Sequence, residues 1–312
     1  MRGCCQSEGN FTVWHEDTED GTDTVNWILQ QPWSNGQVFQ IGASADGIAA
    51  FELAKTADAN VRRALQGQFI IFATAEARRT FFPGAAYREN LIEGWLKGTV
   101  PLQADGIVAN VKTHEAPGPW WDQVEIKGDQ FEQITWPTVH WAGWSDIFLH
   151  GHLYSFDGFQ KHSDASVQGH HYLVVDPLGH CQDGAKFFPH DLIAGRSLLP
   201  VLMGIELFKG NLKPGAVPEG VDHVTFYVMS TRDAAPGEGN YWTTMPDWPT
   251  PQVTPWYLQG DLSLSTTKPA VATTTASAPP RAAASTTYTY DPSDPTPAIG
   301  GNNLLRPLKC GP

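Results

Sequence analysis

Apolar and polar positions along the first quarter of the chain alternate between the spacing of helices and that of strands. Strand-like runs are short, β-branched or aromatic, and bounded by turn residues, whereas helix-like runs repeat apolar residues every three to four positions. These patterns predict a helix over 19–31, a strand over 37–42, a helix over 47–57 and a strand over 67–74. Such alternation predicts an α/β fold with a mainly parallel sheet.

A serine stands in the turn between the first of these strands and the helix that follows it. The segment Gly42-Ala43-Ser44-Ala45-Asp46-Gly47 separates an apolar run at 38–41 from a helix-like run at 48–54. Serine on such a turn exposes its hydroxyl above the sheet edge, beside backbone N–H groups that can hold an oxyanion. A small residue also fits wherever a helix packs closely on the preceding strand, so the turn alone leaves both interpretations open.

An acid and a base follow the serine in chain order. The segment 138–146 is a β-branched and aromatic strand that runs into a turn ending on Asp146, and the segment 170–180 is a strand that leads through Pro and Gly to His180. Serine, aspartate and histidine in this order, each just past a strand, form the arrangement of an α/β-hydrolase. Because serine needs a base and the base needs an orienting acid, we predict the three roles for Ser44, His180 and Asp146.

These motifs resemble those of the cocaine esterase and X-Pro dipeptidyl-peptidase family of α/β-hydrolases. In that family glycine is the third residue after the serine, as Gly47 is here, and a Gly-Trp-x-Asp motif carries the acid, as in 143–146. The family's Gly-Pro-x-x-His motif for the base is retained as Asp176-Pro177-Leu178-Gly179-His180. Further similar segments lie at 2–3, 7–11, 19–29, 31–36, 226–229, 248–249 and 290–295.

The resemblance also implies a domain organisation. Residues 1–220 are expected to form the catalytic domain, with a largely helical cap over about 77–134, and residues 221–312 to begin a C-terminal β jelly-roll domain. In the family, several strands precede the turn that matches Arg2-Gly3, and one of them supplies an oxyanion tyrosine. We therefore expect both domains to be incomplete and the activity of the chain as it stands to be weak or absent.

Composition and charge narrow the classes of partner. Of 312 residues, 41% are hydrophobic and 17% are charged, which is typical of a globular enzyme, and no apolar run is long enough to cross a bilayer. The net charge of −13 disfavours nucleic acid and anionic membranes as partners, while self-association into a homo-oligomer and localisation stay open. The histidines around His150-Gly151-His152 lack the spacing of zinc motifs, so no metal and no cofactor are predicted.

The expected function is that of a serine hydrolase, a carboxylesterase or an X-Pro dipeptidyl-peptidase, acting on a small ester, an amide or a short peptide. The Ala45 backbone N–H is the predicted oxyanion donor. Family members that act on amino-acid esters carry acidic residues just after the aspartate, whereas 147–149 are apolar here, which favours an esterase. The alternative is an impaired hydrolase that acts as a binding module. The predicted pocket residues are Trp144, Phe148, Trp120 and Trp121.

Overall fold

A computed structural model of this chain describes residues 2–4, 6–180, 188–189, 198–210, 221–259, 263–269 and 289–294. Six strands lie side by side in one sheet in the order in which they occur along the chain. They are β1 (Val38–Ala43), β2 (Leu65–Ile71), β3 (Thr138–Ser145), β4 (His171–Gly179), β5 (Val224–Val228) and β6 (Tyr241–Met245).

Neighbouring strands from β1 to β5 pair in parallel, and β6 pairs antiparallel with β5. The predicted mainly parallel α/β sheet is thereby confirmed. In a parallel sheet the carboxyl ends of all strands lie at one edge, where ligands and reacting groups gather. The turns that follow β1, β3 and β4, which carry the predicted serine, acid and base, therefore share that edge.

Nine helices occur in the described part of the chain, together with two 3-10 turns at Pro83–Ala85 and Gly128–Gln133. The helices are α1 (Asp17–Leu29), α2 (Ala45–Leu53), α3 (Ala59–Ala64), α4 (Ala77–Phe81), α5 (Glu89–Thr99), α6 (Ala104–Lys112), α7 (Pro119–Asp122), α8 (Leu149–His162) and α9 (Leu199–Phe208). None of them is long and apolar enough to span a bilayer.

Helices bury both faces of the sheet. On one face Ile70 belongs to a core that includes Phe51 of α2 and Phe159 of α8. On the other face Phe69 packs in a cluster with Met203 of α9. Because both faces are covered, the central strands are apolar almost continuously rather than in alternation, as β4 shows with every residue buried.

The segment 77–134 contains four helices and both 3-10 turns, and it adds no strand to the sheet. Leu91, Ile92 and Leu96 of α5 are buried, so one face of this helix packs against the core. Helical structure between β2 and β3 is what the sequence predicts for a cap.

The expectation that a jelly roll begins at residue 221 is not confirmed. Val224 of β5 lies in register with Leu173 of β4, so the segment that was expected to leave the catalytic domain extends its sheet instead. The described residues divide into one compact unit that ends at Trp248 and another that begins at Pro249. The second unit contains a short antiparallel pair, β7 (Tyr257–Leu258) and β8 (Leu264–Ser265). Residues 270–288 and 295–312 lie outside the described residues.

Candidate active site

Ser44 occupies a strained turn between β1 and α2. Its backbone has φ of 56° and ψ of −123°, a left-handed conformation that is costly for a residue with a side chain. A Cβ added to Gly42 would lie 2.3 Å from the Asp46 carbonyl oxygen, and one added to Gly47 would lie 2.5 Å from Ala73 Cβ. The two glycines are therefore required by the tightness of the turn, and the turn in turn aims the serine hydroxyl out of the sheet.

The three residues predicted to act together form a hydrogen-bonded line. Ser44 Oγ lies 2.8 Å from His180 Nε2, and His180 Nδ1 lies 2.6 Å from Asp146 Oδ2. The side chains of His180 and Asp146 are 6% and 1% exposed. The other carboxylate oxygen, Asp146 Oδ1, accepts from Phe148 N at 2.8 Å. Residues 136 positions apart in the chain are thus brought into the geometry of nucleophilic catalysis.

The arrangement assigns a direction to each hydrogen bond. With Nδ1–H donating to the carboxylate, His180 Nε2 is left as an acceptor that faces the Ser44 hydroxyl. Ala45 is the first residue of α2, and the first N–H groups of a helix have no acceptor within the helix. An anion formed at Ser44 would therefore meet both a free N–H and the positive end of the helix dipole.

An apolar cavity opens beside Ser44 and Ala45. Its empty space is about 350 Å³, counting the open space at its mouth. Thr80 is the one other polar residue in its lining among the described residues. The apolar lining consists of Trp14, Ile48, Phe81, Leu91, Ile92, Trp95, Ile147 and Phe148. The described lining of the cavity therefore contains no charged side chain.

Of the four predicted pocket residues, the structure places only Phe148 in this lining. The Phe148 ring centroid is 5.2 Å from that of His180. Trp144 donates from Nε1 to the Tyr227 carbonyl oxygen at 2.6 Å, on the side of the sheet edge toward β5. Trp121 is 1% exposed in the core, and Trp120 stacks on a neighbouring histidine ring. These three tryptophans serve packing because their helices and strands turn them away from the cavity.

Two tryptophans that sequence reasoning missed line the cavity instead. Trp14 and Trp95 stack with ring centroids 5.3 Å apart and planes inclined by 11°. Trp14 also donates from Nε1 to the Ala45 carbonyl oxygen at 3.2 Å. A signal was present for Trp95, since it follows Leu91 by four positions on one face of α5. No local pattern marks Trp14, which lies in a turn before α1.

Three further histidines are fully buried beneath the sheet edge. Ala73 N donates to His152 Nδ1 at 3.3 Å, and His152 Nε2 lies 3.2 Å from His140 Nδ1. His171 Nε2 lies 3.1 Å from Ser163 Oγ. Burial lowers the pKa of His152 to about 4 and that of His171 to about 3, and it also lowers the pKa of His140. We find no metal-holding cluster of His, Cys, Asp or Glu in the described part of the chain.

Comparison with known proteins finds a family model that matches the first third of the chain. Residues 1–105 match the sequence model of the X-Pro dipeptidyl-peptidase (S15) family. The whole chain aligns over 362 positions with the cocaine esterase of Rhodococcus sp. strain MB1 Bresler, at 25% identity. The chain is therefore similar to members of this family of hydrolases. The resemblance predicted from the elbow, acid and base motifs is confirmed. The chain spans 59% of the length of that cocaine esterase.

Solved structures of hydrolases are also similar to this chain. The 2,6-dihydroxy-pseudo-oxynicotine hydrolase matches 64% of this chain and 48% of its own, at 16% identity and a TM-score of 0.41. The esterase Pf2001 of Pyrococcus furiosus matches 65% of this chain and 66% of its own, at 15% identity and a TM-score of 0.41. The assignment of the α/β-hydrolase fold rests on the parallel sheet and the strained turn described above.

Proposed function

We propose that this chain is a serine hydrolase that cleaves esters through an acyl-enzyme on Ser44. One observation carries the proposal. A buried carboxylate, an imidazole and a serine hydroxyl form a line with contacts of 2.6 and 2.8 Å, and the serine lies on a strained turn at the start of a helix. Each of these features is needed to make a weak nucleophile reactive.

The reaction follows from the direction of the hydrogen bonds. His180 Nε2 takes the hydroxyl proton as Ser44 Oγ attacks the ester carbonyl, and the Ala45 N–H donates to the oxyanion that forms. Asp146 stabilises the imidazolium. The intermediate collapses when its C–O bond breaks and His180 returns the proton to the leaving alcohol. A water molecule, deprotonated by His180, then attacks the acyl group and releases the acid, which regenerates Ser44.

The cavity argues for an apolar, uncharged acyl group. Its walls are formed by rings and aliphatic side chains such as Trp95, Phe148 and Ile147. A charged acyl chain would lose its hydration there without gaining an ionic partner from the lining, which costs several kcal/mol. We therefore favour a carboxylesterase over an enzyme for charged amino-acyl groups.

A second candidate is release of X-Pro dipeptides, and two observations favour it. The family model matched by residues 1–105 is that of an X-Pro dipeptidyl-peptidase. An open polar depression lies on the other side of Trp14 and Ala45, and its lining includes Glu8, Asp17 and Asp20. Carboxylates in that depression suit an ammonium group on a substrate.

A fluorophosphonate probe and two chromogenic substrate series test the proposal. We expect the full chain to be labelled at Ser44 and to hydrolyse p-nitrophenyl esters of short apolar acids faster than Ala-Pro-p-nitroanilide. Ser44→Ala should abolish both labelling and hydrolysis, because Ser44 carries the one hydroxyl that bonds to His180 among the described residues. Ser166→Ala, which removes an exposed hydroxyl that contacts only Asp164, is the matched control and should behave as the unaltered chain does.

Other outcomes have defined meanings. Labelling that survives Ser44→Ala would refute the assignment of the nucleophile. Preference for Ala-Pro-p-nitroanilide would favour the peptidase. A folded chain that neither reacts with the probe nor hydrolyses any of these substrates would contradict the proposal and support the binding module.

A further inference from the structure

Asp176 is a buried carboxylic acid that the proposed reaction does not use. It lies in β4 and is fully shielded from solvent. Its Oδ2 accepts from Trp141 Nε1 at 2.8 Å, and its Oδ1 accepts from Leu178 N at 2.9 Å. It forms no ion pair with any residue that the structure describes. A buried carboxyl without a cation lowers the stability of the fold, so we ask what role Asp176 has in the site.

The two donors belong to the two segments that carry the acid and the base. Trp141 lies in β3, shortly before the turn of Asp146, and Leu178 lies two residues before His180. The strands approach closely here, since a Cβ added to Gly143 would lie 2.2 Å from the Leu178 carbonyl oxygen and 3.0 Å from Asp176 Oδ1. The carboxyl of Asp176 therefore bridges the two segments just below the site.

A second route leads from Asp176 to the imidazole through aromatic rings. The Trp141 indole, held by Asp176, packs against the Phe72 ring at a centroid distance of 5.3 Å. The Phe72 ring in turn lies 6.2 Å from that of His180. Both routes end at His180, one through the backbone of its turn and the other through ring packing.

We propose that Asp176 is a positioning residue, whose two oxygens hold the acid segment and the base turn in the register that lets His180 contact both Asp146 and Ser44. The proposal rests on the function proposed above. An error of about 1 Å in the placement of a reacting group can cost about 10²-fold in rate, and contacts of 2.6 and 2.8 Å leave little tolerance for such an error.

Protonation of Asp176 should matter, because both oxygens act as acceptors. Burial and, to a smaller extent, the charge of Asp146 raise the pKa of Asp176 to about 7, although the hydrogen bonds from Leu178 and Trp141 lower it. Below that pH one oxygen carries an O–H that opposes an N–H donor. The titratable groups around β4 include His180 in the turn that follows it, and His140 of β3, His152 of α8, Tyr227 of β5 and Glu206 of α9 on the neighbouring elements.

The test uses Asp176→Asn in the full chain with an activated ester. An amide presents one acceptor and one donor, so one of the two N–H groups must lose its bond. We expect kcat to fall about 10- to 100-fold with KM changed less than about twofold. The fall of log(kcat/KM) on the acid side should be less steep in the variant than in the unaltered chain, because the side chain at this position no longer takes up a proton.

A double-mutant cycle with Trp141→Phe identifies the bridge as the cause. Removing the indole N–H lets the amide of Asp176→Asn face Leu178 N with its oxygen, and no donor then opposes its NH₂ group. We expect the double variant to recover several-fold in kcat over Asp176→Asn alone, which is a coupling that independent sites do not show. Trp141→Phe alone should lower kcat about threefold to tenfold.

The matched control is Glu52→Gln. Glu52 is also a buried carboxyl whose pKa is raised to about 7 by burial, but it pairs with Lys55 at the far end of α2. This control should lower the melting temperature without changing kcat or the slope of the acid side. An equal change of the acid-side slope in Glu52→Gln would overturn the proposal, because destabilisation of the fold would then explain the change in both variants.

Two further results would decide against Asp176 as a positioning residue. One is a folded Asp176→Asn variant with unchanged kcat and pH profile. The other, if that variant does not fold, is Trp141→Phe with unchanged kcat. The far-downfield proton resonance of His180 Nδ1–H gives a readout that needs no turnover. It should shift or vanish in Asp176→Asn, and its persistence would refute the proposal even if the chain proves to hydrolyse no ester.

Discussion

His180 and a cluster of three other buried histidines lie in or beside the sheet, and they differ in what surrounds each ring. His180 contacts a carboxylate through one nitrogen and a hydroxyl through the other. In the cluster of His140, His152 and His171, the contacts are to a backbone N–H, to one another and to Ser163. No carboxylate among the described residues bonds to any ring of that cluster.

The difference shows what makes a buried histidine reactive. In the cluster, burial disfavours the imidazolium, and the pKa values of His152 and His171 fall to about 4 and about 3. Those rings are neutral at physiological pH and would have to take up a proton at a high energetic cost. The His180 side chain, at 6% exposed, is less fully enclosed, and the carboxylate of Asp146 can compensate a positive charge on the ring. A carboxylate on one nitrogen and a hydroxyl on the other, rather than burial, distinguish His180 from the cluster.

The largest effect should come from removing the base. His180→Ala is expected to lower kcat for an activated ester by several orders of magnitude, because Ser44 loses its proton acceptor. His171→Gln, which retains an amide that can reach Ser163, should change kcat less than threefold and act on stability alone. Steady-state kinetics on both purified variants checks the contrast. If His171→Gln abolished turnover in a folded protein, the two groups of histidines would have been assigned the wrong way round.

The next largest effect concerns the carboxylate that separates the two groups. Asp146→Asn should lower kcat by about 10³- to 10⁴-fold, since an amide no longer fixes the tautomer or compensates the imidazolium. The loss should be smaller than in His180→Ala, because a base is still present. Single-turnover measurements with a chromogenic ester will show whether acylation slows to the same degree. Equal rates in Asp146→Asn and in the unaltered chain would show that the carboxylate is not what distinguishes His180 from the histidine cluster.

The cluster of His140, His152 and His171 should change how the free energy of unfolding depends on pH. The three histidines have folded pKa values below the unfolded value of about 6.5, so their stabilising contribution is complete above pH 6.5 and is lost as the pH falls toward the folded values. Each contributes a slope of about 1.4 kcal/mol per pH unit in that window. Asp176 and Glu52, with pKa values raised to about 7, act in the opposite sense, and their stabilisation is lost as the pH rises toward 7.

His171→Gln isolates one of these contributions. Urea unfolding at several pH values between about 4.5 and 6 should show a slope lower by about 1.4 kcal/mol per pH unit than in the unaltered chain. An unchanged slope would mean that His171 is protonated in the folded state, contrary to its burial.

The smallest expected effect comes from Ser163→Ala. The substitution leaves His171 Nε2 without the hydroxyl that lies 3.1 Å away, and a buried polar atom that loses its partner costs about 1–3 kcal/mol. Chemical denaturation should detect this loss while kcat stays within a factor of two. A fall in kcat comparable to that of Asp146→Asn would show that the cluster and the site are coupled.

Local signals in the sequence were sufficient to predict the sheet and the three residues that meet at Ser44. The glycines around Ser44 indicated a tight turn, and the strands before Asp146 and His180 had β-branched and aromatic patterns. The lining of the cavity could not be predicted in this way. Trp120 and Trp121 are the same residue type as Trp14 and Trp95. Which of these side chains face the cavity depends on how segments far apart in the chain pack together.

The end of the sheet and the bridge at Asp176 also escaped prediction. The segment 226–229 resembled the start of another domain, but its apolar pattern suits any strand, and pairing with β4 is a long-range event that no local pattern specifies. Asp176 entered the sequence analysis only as part of the segment that retains the base motif, because its partner Trp141 lies 35 positions away.

The order of serine, acid and base, each one placed just beyond a strand, was determined by the sequence alone, because parallel strands bring their carboxyl ends to one edge whatever else surrounds them. Tertiary structure decided which aromatic side chains line the cavity and which buried histidines lie without a carboxylate partner among the described residues. It also decided that a carboxyl of β4 ties the acid segment to the base turn. Those outcomes depend on distances and burial between segments far apart in the chain, and the energies involved arise only once the segments have packed.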